Sequence, residues 1–166
     1  MRLSAIIPER KNSIGWRGQI WSKSLTMISE RPFFGHGINT FMRIFPAYYP
    51  PGKAGPTYAH NCYLQVAAET GIVGLFFFLF ILFEIFKTSL KTLMSQKLTD
   101  KNVTILGFGI LAGLLAFLFH SFTDTNLYSL QLSAYFWTMA GLLFSLNNLF
   151  NISAFHDISE HKNQDG

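Results

Sequence analysis

Charge is scarce in this chain of 166 residues: 13% are charged, against 49% that are hydrophobic. A water-soluble domain of this length carries about 25% charged residues, so the shortage points to lipid rather than to a water-exposed fold. Cysteine is scarcer still. Cys62 stands by itself, which excludes an intrachain disulfide and a thiolate zinc cluster. The sequence has no His-Glu-x-x-His, no acidic cluster, no phosphate-binding glycine loop and no Gly-x-Ser-x-Gly. No metal, no cofactor and no nucleic-acid partner is therefore expected. A secretory leader is also missing, because the apolar patch within Met1–Pro8 is shorter than the ~7–15 residues such a leader needs. A first membrane helix can direct insertion without one.

What the chain has instead is phenylalanine, 18 residues of it, gathered in apolar runs. Three stretches approach the ~20 apolar residues that cross a bilayer: Gly71 to about Leu90, Val103 to Phe122, and about Leu127 to Leu146. The third also carries Ser129, Gln131, Ser133 and Thr138, as expected of a helix packed on protein. Gly107, Gly109, Ala112, Gly113 and Ala116 crowd the second and read as a face for close helix packing. The expected fold is all-α: a polytopic membrane protein of about three transmembrane helices. Residues 1–69 form an external, mainly helical segment, 70–148 the membrane region, and 149–166 a polar, disordered cytoplasmic tail.

Orientation follows from where the basic residues lie. The linker Lys87–Lys101 holds four Lys against one Asp, whereas the loop after the second span holds Asp124 and no basic residue. The positive-inside rule puts that linker in the cytoplasm and residues 1–69 on the outer face. Eight of the 13 basic residues then lie outside, before the first span: Arg2, Arg10, Lys11, Arg17, Lys23, Arg31, Arg43 and Lys53. An anionic substrate would explain them; a solvated face or lipid headgroup contact is the plainer reading.

Within the external segment, Ile14, Ile20, Trp21, Leu25 and Ile28 recur at helical spacing, predicting a helix over Ile14–Met27. Pro32 ends it, and Gly35 and Gly37 give a turn. A short helix is expected over Asn39–Phe45, then a loop rich in Pro, Gly and Tyr over Pro46–Pro56. A further helix starts near His60 with Asn61 as its N-cap and joins the first span through Gly71 and Gly74.

Few residues here could do chemistry. His60, before a helix start at the membrane surface, can take a proton near neutral pH; a lone interfacial histidine more often only hydrogen-bonds a loop. Arg17 can grip a phosphate with two prongs, although composition alone favours a solvated arginine. His120 and Asp124 are spaced i, i+4 and are expected to share a helix face. Glu69 reads as a group that orients structure, and Glu84 is assigned no role.

Taken together, Arg17-x-x-x-Trp21, Arg31-Pro32-x-x-Gly35-x-Gly37-x-Asn39-x-Phe41 and His60-Asn61-x-Tyr63-Leu64-Gln65-x-x-x-Glu69-Thr70-Gly71-x-x-Gly74 resemble the O-antigen ligase and polymerase family. His120-Ser121-x-x-Asp124 is similar to that family as well, so the likeness covers about Asn12 to Leu146. It implies a multi-pass glycosyltransferase of the bacterial cytoplasmic (inner) membrane, metal-independent, represented by its C-terminal part and lacking an N-terminal membrane half. Its donor would be an undecaprenyl-diphosphate-linked glycan, its acceptor a glycan, lipid or protein hydroxyl, and the lipid bilayer its setting. By that likeness Arg17 would bind the diphosphate and His60 would act as general base. Arg31, Asn61, Tyr63, Gln65, His120 and Asp124 would line the substrate. A non-catalytic remnant or membrane subunit, or a small flippase or export component, are the alternatives.

Overall fold

The computed structural model describes residues 13–49, 56–94 and 101–145. The first twelve residues with Arg2, Arg10 and Lys11, the middle of the Pro46–Pro56 loop, Lys97 and the tail 149–166 lie outside the described residues. All regular secondary structure among the described residues is helical, and the chain is an all-α membrane protein.

Helix α1 (Ser13–Glu30) buries Ile20, Ser24 and Met27, with Trp16 and Trp21 partly covered beside them. Leu25, expected on that apolar stripe, is instead 56% exposed: it follows Ser24 by a ~100° turn of helix and so leaves the stripe. Ser24 closes its hydroxyl on the Ile20 carbonyl at 2.9 Å, which lets a polar side chain sit in the core. Helix α2 (Phe41–Ile44) runs straight into a 3-10 turn at Phe45–Tyr48, where Pro46 occupies an early position that needs no N–H. Phe41 and Phe45 stack at 4.9 Å and pack with Ile20, Met27, Ala59 and Ala68 into one apolar cluster.

Helix α3 (Cys62–Leu93) has 32 residues and breaks at Gly71, whose backbone lies at φ 73°. Unbroken, it would reach about 48 Å, well beyond the ~30 Å hydrocarbon layer. Residues 72–93 alone give about 33 Å, a fitting span. Helix α4 (Lys101–His120) supplies 20 residues. These two helices are long and apolar enough to cross a membrane. The third expected span is helical over 130–145 (α5), and its far end lies outside the described residues.

The described chain forms two compact units, one from Met1–Phe76 with Ser121–Thr125 and one from Phe77–His120 with Asn126–Gly166. In the second, Leu82, Leu93, Leu111, Leu114, Phe136, Ala140 and Leu143 make the core. Gly107 packs as the sequence implied, since a Cβ there would come within 2.4 Å of Leu93. At Gly109 and Gly113 nothing among the described residues lies within 4 Å of where a Cβ would stand.

Candidate functional site

The turn after α1 and the break in α3 are built as one piece. At a normal helical step the N–H of Ile72 would go to Ala68 and that of Val73 to Glu69. The Gly71 break removes both bonds and strands four backbone groups, which must find partners elsewhere. The turn supplies them. The Ala68 carbonyl accepts from His36 N at 3.0 Å and the Glu69 carbonyl from Gly37 N at 2.8 Å. Ile72 N donates to Pro32 O at 2.7 Å and Val73 N to Phe33 O at 3.4 Å. Such close approach needs glycine on both sides. A Cβ on Gly35 (φ 65°) would stand 2.5 Å from the Glu69 carbonyl carbon, and one on Gly71 2.1 Å from Phe33 O.

Glu69 locks the piece. Its side chain is 1% exposed, and its carboxylate accepts from Asn39 N at 2.9 Å and Phe41 N at 3.2 Å. Asn39 itself sits in the left-handed region at φ 58°. His36 donates through Nε2 to the Met27 carbonyl at 3.0 Å, tying the turn back to α1. At the end of α1 the Tyr48 hydroxyl donates to the Glu30 carboxylate; that bond, then partial burial and the nearby negative charge, hold the Tyr48 pKa above its usual 10.0.

His60 stands at the other end of the buried half-helix. It is non-glycine at φ 50°, an uncommon backbone state that surrounding contacts must impose. Asn61 caps α3 through Oδ1, accepting from Leu64 N at 3.0 Å. Gln65 accepts from Ala59 N at 2.9 Å and donates to Glu69 Oε1 at 3.4 Å. From α1, the Trp21 indole N–H donates to Ala59 O at 3.1 Å, with His60 O at 3.4 Å. The Trp16 ring lies 5.2 Å from the imidazole.

Among the described residues the imidazole pairs with one carboxylate. Its Nδ1 is 3.6 Å from Asp124 Oδ1, with the two side chains 30% and 46% exposed. That separation is ion-pair range, too long for a hydrogen bond. Asp124 is steered there by its own turn, where Oδ1 accepts from Thr125 N at 2.8 Å. The turn is pinned to α3 by Cys62 N donating to Ser121 O at 2.9 Å, and by Tyr63 and Phe122 rings 4.4 Å apart.

This corrects the expectation that His120 and Asp124 share a helix face. Helix α4 ends at His120, and the Ser121 carbonyl goes to Cys62 instead of to a further helical turn, so the two residues share no helix face. His120 belongs to the second unit and accepts at Nδ1 from Asn126 Nδ2 at 2.8 Å. The residue that meets Asp124 is His60.

The other expected substrate residues divide. Arg17 is half-buried on α1, directly after Trp16 and one turn before Trp21, and among the described residues no carboxylate pairs with it. Arg31 follows the end of α1, about 20 Å along the helix from Arg17 and too far to share a ligand atom with it. Asn61 and Gln65 turn their polar atoms inward, as described. Tyr63 is half-buried against Phe122. Trp16 and Phe122 do not stand out in the sequence, and Ser121 only within the pattern His120-Ser121-x-x-Asp124; the indole of Trp16 beside Arg17 is the available signal. An open groove of about 390 Å³ is lined by Gly15, Gly18, Gln19, Ser22, Lys23 and Tyr49, on the side of α1 away from Arg17.

The family model described as O-Antigen ligase matches residues 2–79, which hold α1, the glycine turn, His60 and the Gly71 break. Residues 2–79 are thus similar to the O-antigen ligase family. The exopolysaccharide production protein ExoQ of Rhizobium meliloti is 23% identical over 116 residues, 65% of this chain and 26% of that protein. An uncharacterized protein of Haemophilus influenzae is 28% identical over 103 residues, 59% of this chain and 26% of its own length. The aligned part of this chain spans about a quarter of each of these relatives.

Proposed function

We propose that this chain works in cell-surface polysaccharide synthesis, as part of a membrane glycosyltransferase that moves a glycan from an undecaprenyl-diphosphate carrier to an acceptor hydroxyl. The name of the Rhizobium relative, an exopolysaccharide production protein, agrees with that setting. The observation that carries the reading is the pair His60–Asp124, 3.6 Å apart and partly open to solvent. A sugar hydroxyl attacks poorly until its proton is taken. His60 takes it at Nε2 as the hydroxyl oxygen bonds to the anomeric carbon of the donor. The bond from that carbon to the diphosphate breaks, and the diphosphate leaves with the electron pair. The imidazolium so formed is balanced by Asp124 beside Nδ1, in the manner of a base and its orienting carboxylate. Arg17 holds the diphosphate as its charge grows.

Placement follows the distribution of lysines: residues 1–69 face outward from the cytoplasmic membrane, where a lipid-linked donor presents its glycan. Cells whose gene carries His60→Ala or Arg17→Ala are expected to lose the high-mass polysaccharide ladder while the protein stays in the membrane. An unchanged ladder in both would reject the mechanism in favour of a non-catalytic membrane subunit.

A further inference from the structure

The turn that completes the Gly71 break exposes apolar side chains that the protein core does not use. Phe34 is 81% exposed, Phe33 66% and Ile38 80%. Their height along α3 is fixed by backbone bonds. Pro32 O and Phe33 O accept from Ile72 N and Val73 N, the first residues of the apolar run. Ile38 lies between Gly37 and Asn39, which bond the Glu69 backbone and carboxylate. The turn therefore sits level with residues 69–73, where α3 turns from a buried half-helix into a membrane span.

We propose that the turn 32–38 is a membrane anchor, with Phe33 and Phe34 inserted at the acyl-chain boundary of the leaflet that α3 enters and Arg31 at the phosphate level. Three observations select lipid over a protein partner. The patch adjoins exposed apolar residues at the start of the membrane-length apolar run: Ile72 is 55% exposed, Val73 38% and Phe76 60%. Part of the backbone is prepared for low dielectric, where non-helical chain is tolerated when its polar groups are satisfied by protein. Pro32 has no N–H, its carbonyl and that of Phe33 are taken by α3, and Gly35 N closes on Arg31 O at 3.1 Å. Arg31 is exposed two positions before Phe33, as a headgroup contact requires. The anchor sets the height of the half-helix that carries His60 at its start. It rests on α3 crossing the bilayer and not on glycan transfer, so it can fail while the catalytic reading stands.

The test is spin labelling of the full chain in vesicles of phosphatidylethanolamine and phosphatidylglycerol. Phe34→Cys and Ile38→Cys supply the sites, and Lys23→Cys on the exposed side of α1 the aqueous reference. The native chain is the labelling blank, because its Cys62 is 0% exposed. At Phe34 the label is expected to relax several-fold more with oxygen than with a water-soluble nickel chelate, with the preference weaker at Ile38 and reversed at Lys23. Native helix content in each variant certifies the fold. A label at Phe34 that favours the chelate would place the turn in water. One that neither agent reaches would place it under protein. Either result overturns the anchor.

Discussion

The indole of Trp21 donates to the carbonyl of Ala59 at 3.1 Å across 38 positions, and that bond holds the residue next to His60. Ala59 is fully buried, so no water can replace the donor. Trp21→Phe keeps a ring in the apolar cluster but leaves the carbonyl unpaired, at a cost of about 1–3 kcal/mol. It also frees His60 to leave its left-handed backbone state. Polysaccharide transfer is expected to fall further than thermal stability does, and Trp21→His, which restores a ring N–H, to recover part of it. Equal losses in both measurements would reduce Trp21 to a core residue.

The glycine pair gives a sharper contrast. Gly35→Ala and Gly71→Ala each drive a methyl into backbone, within 2.5 Å and 2.1 Å of fixed atoms, at positive φ. Left-handed backbone alone costs a non-glycine residue about 1–2 kcal/mol, and the clash adds to that. Gly18→Ala meets nothing within 4 Å on a helix and is expected to stabilise by up to about 1 kcal/mol. Melting of the three variants in detergent checks the ordering.

Glu69 is legible as an acid in the sequence and turns out to act as an acceptor. Glu69→Ala strands two amides, of Asn39 and Phe41, in a buried place. Each stranded group costs about 1–3 kcal/mol. Glu69→Gln keeps one acceptor oxygen and is expected to lose about half as much. Both are read from thermal unfolding, and loss of transfer without loss of stability would instead make Glu69 a participant in the chemistry.

Much of this architecture was readable because it is local. The spacing through Ile20 and Ile28 marks α1, Asn61 caps its own helix, and Gly71 marks a break. What stayed hidden was pairing across distance. Gly35 and Gly71 announce unusual backbone, but nothing in either announces the other as partner. The spacing of His120 and Asp124 promised a shared face; a single long-range bond, Cys62 N to Ser121 O, stops the helix and sends Asp124 to His60 instead. Trp16 is hidden in the sequence for the same reason, since its contact with His60 spans most of the segment.

Tyr48 gives a pH-dependent signature. Its hydroxyl donates to Glu30, which raises its pKa above 10.0 in the folded chain. A raised pKa favours the protonated form when folded, so this contribution is complete below the unfolded value near 10 and fades as pH climbs through the folded value. Stability is therefore expected to decline in the alkaline range above about pH 10. Glu30→Gln should bring the Tyr48 titration, followed by phenolate absorbance, back toward the ordinary value. A titration unmoved by Glu30→Gln would leave burial as the cause.

Asp124→Asn separates charge from shape. The amide oxygen can still accept from Thr125 N, so the turn that carries it is kept. What disappears is a negative charge 3.6 Å from the imidazole. For partly exposed groups at that separation the interaction with an imidazolium is about 1–3 kcal/mol, between the water value and that for a protein surface. It is absent while the ring is neutral, so the loss falls on the state reached after proton transfer and lowers turnover by about tenfold to a hundredfold. Under the proposed roles, Arg17 and not Asp124 holds the donor, so donor binding should change little. The measurement is transfer rate against donor concentration in membranes: a fall in kcat at constant KM supports the pair, whereas a rise in KM at constant kcat would return Asp124 to the substrate-binding role that its sequence pattern implied.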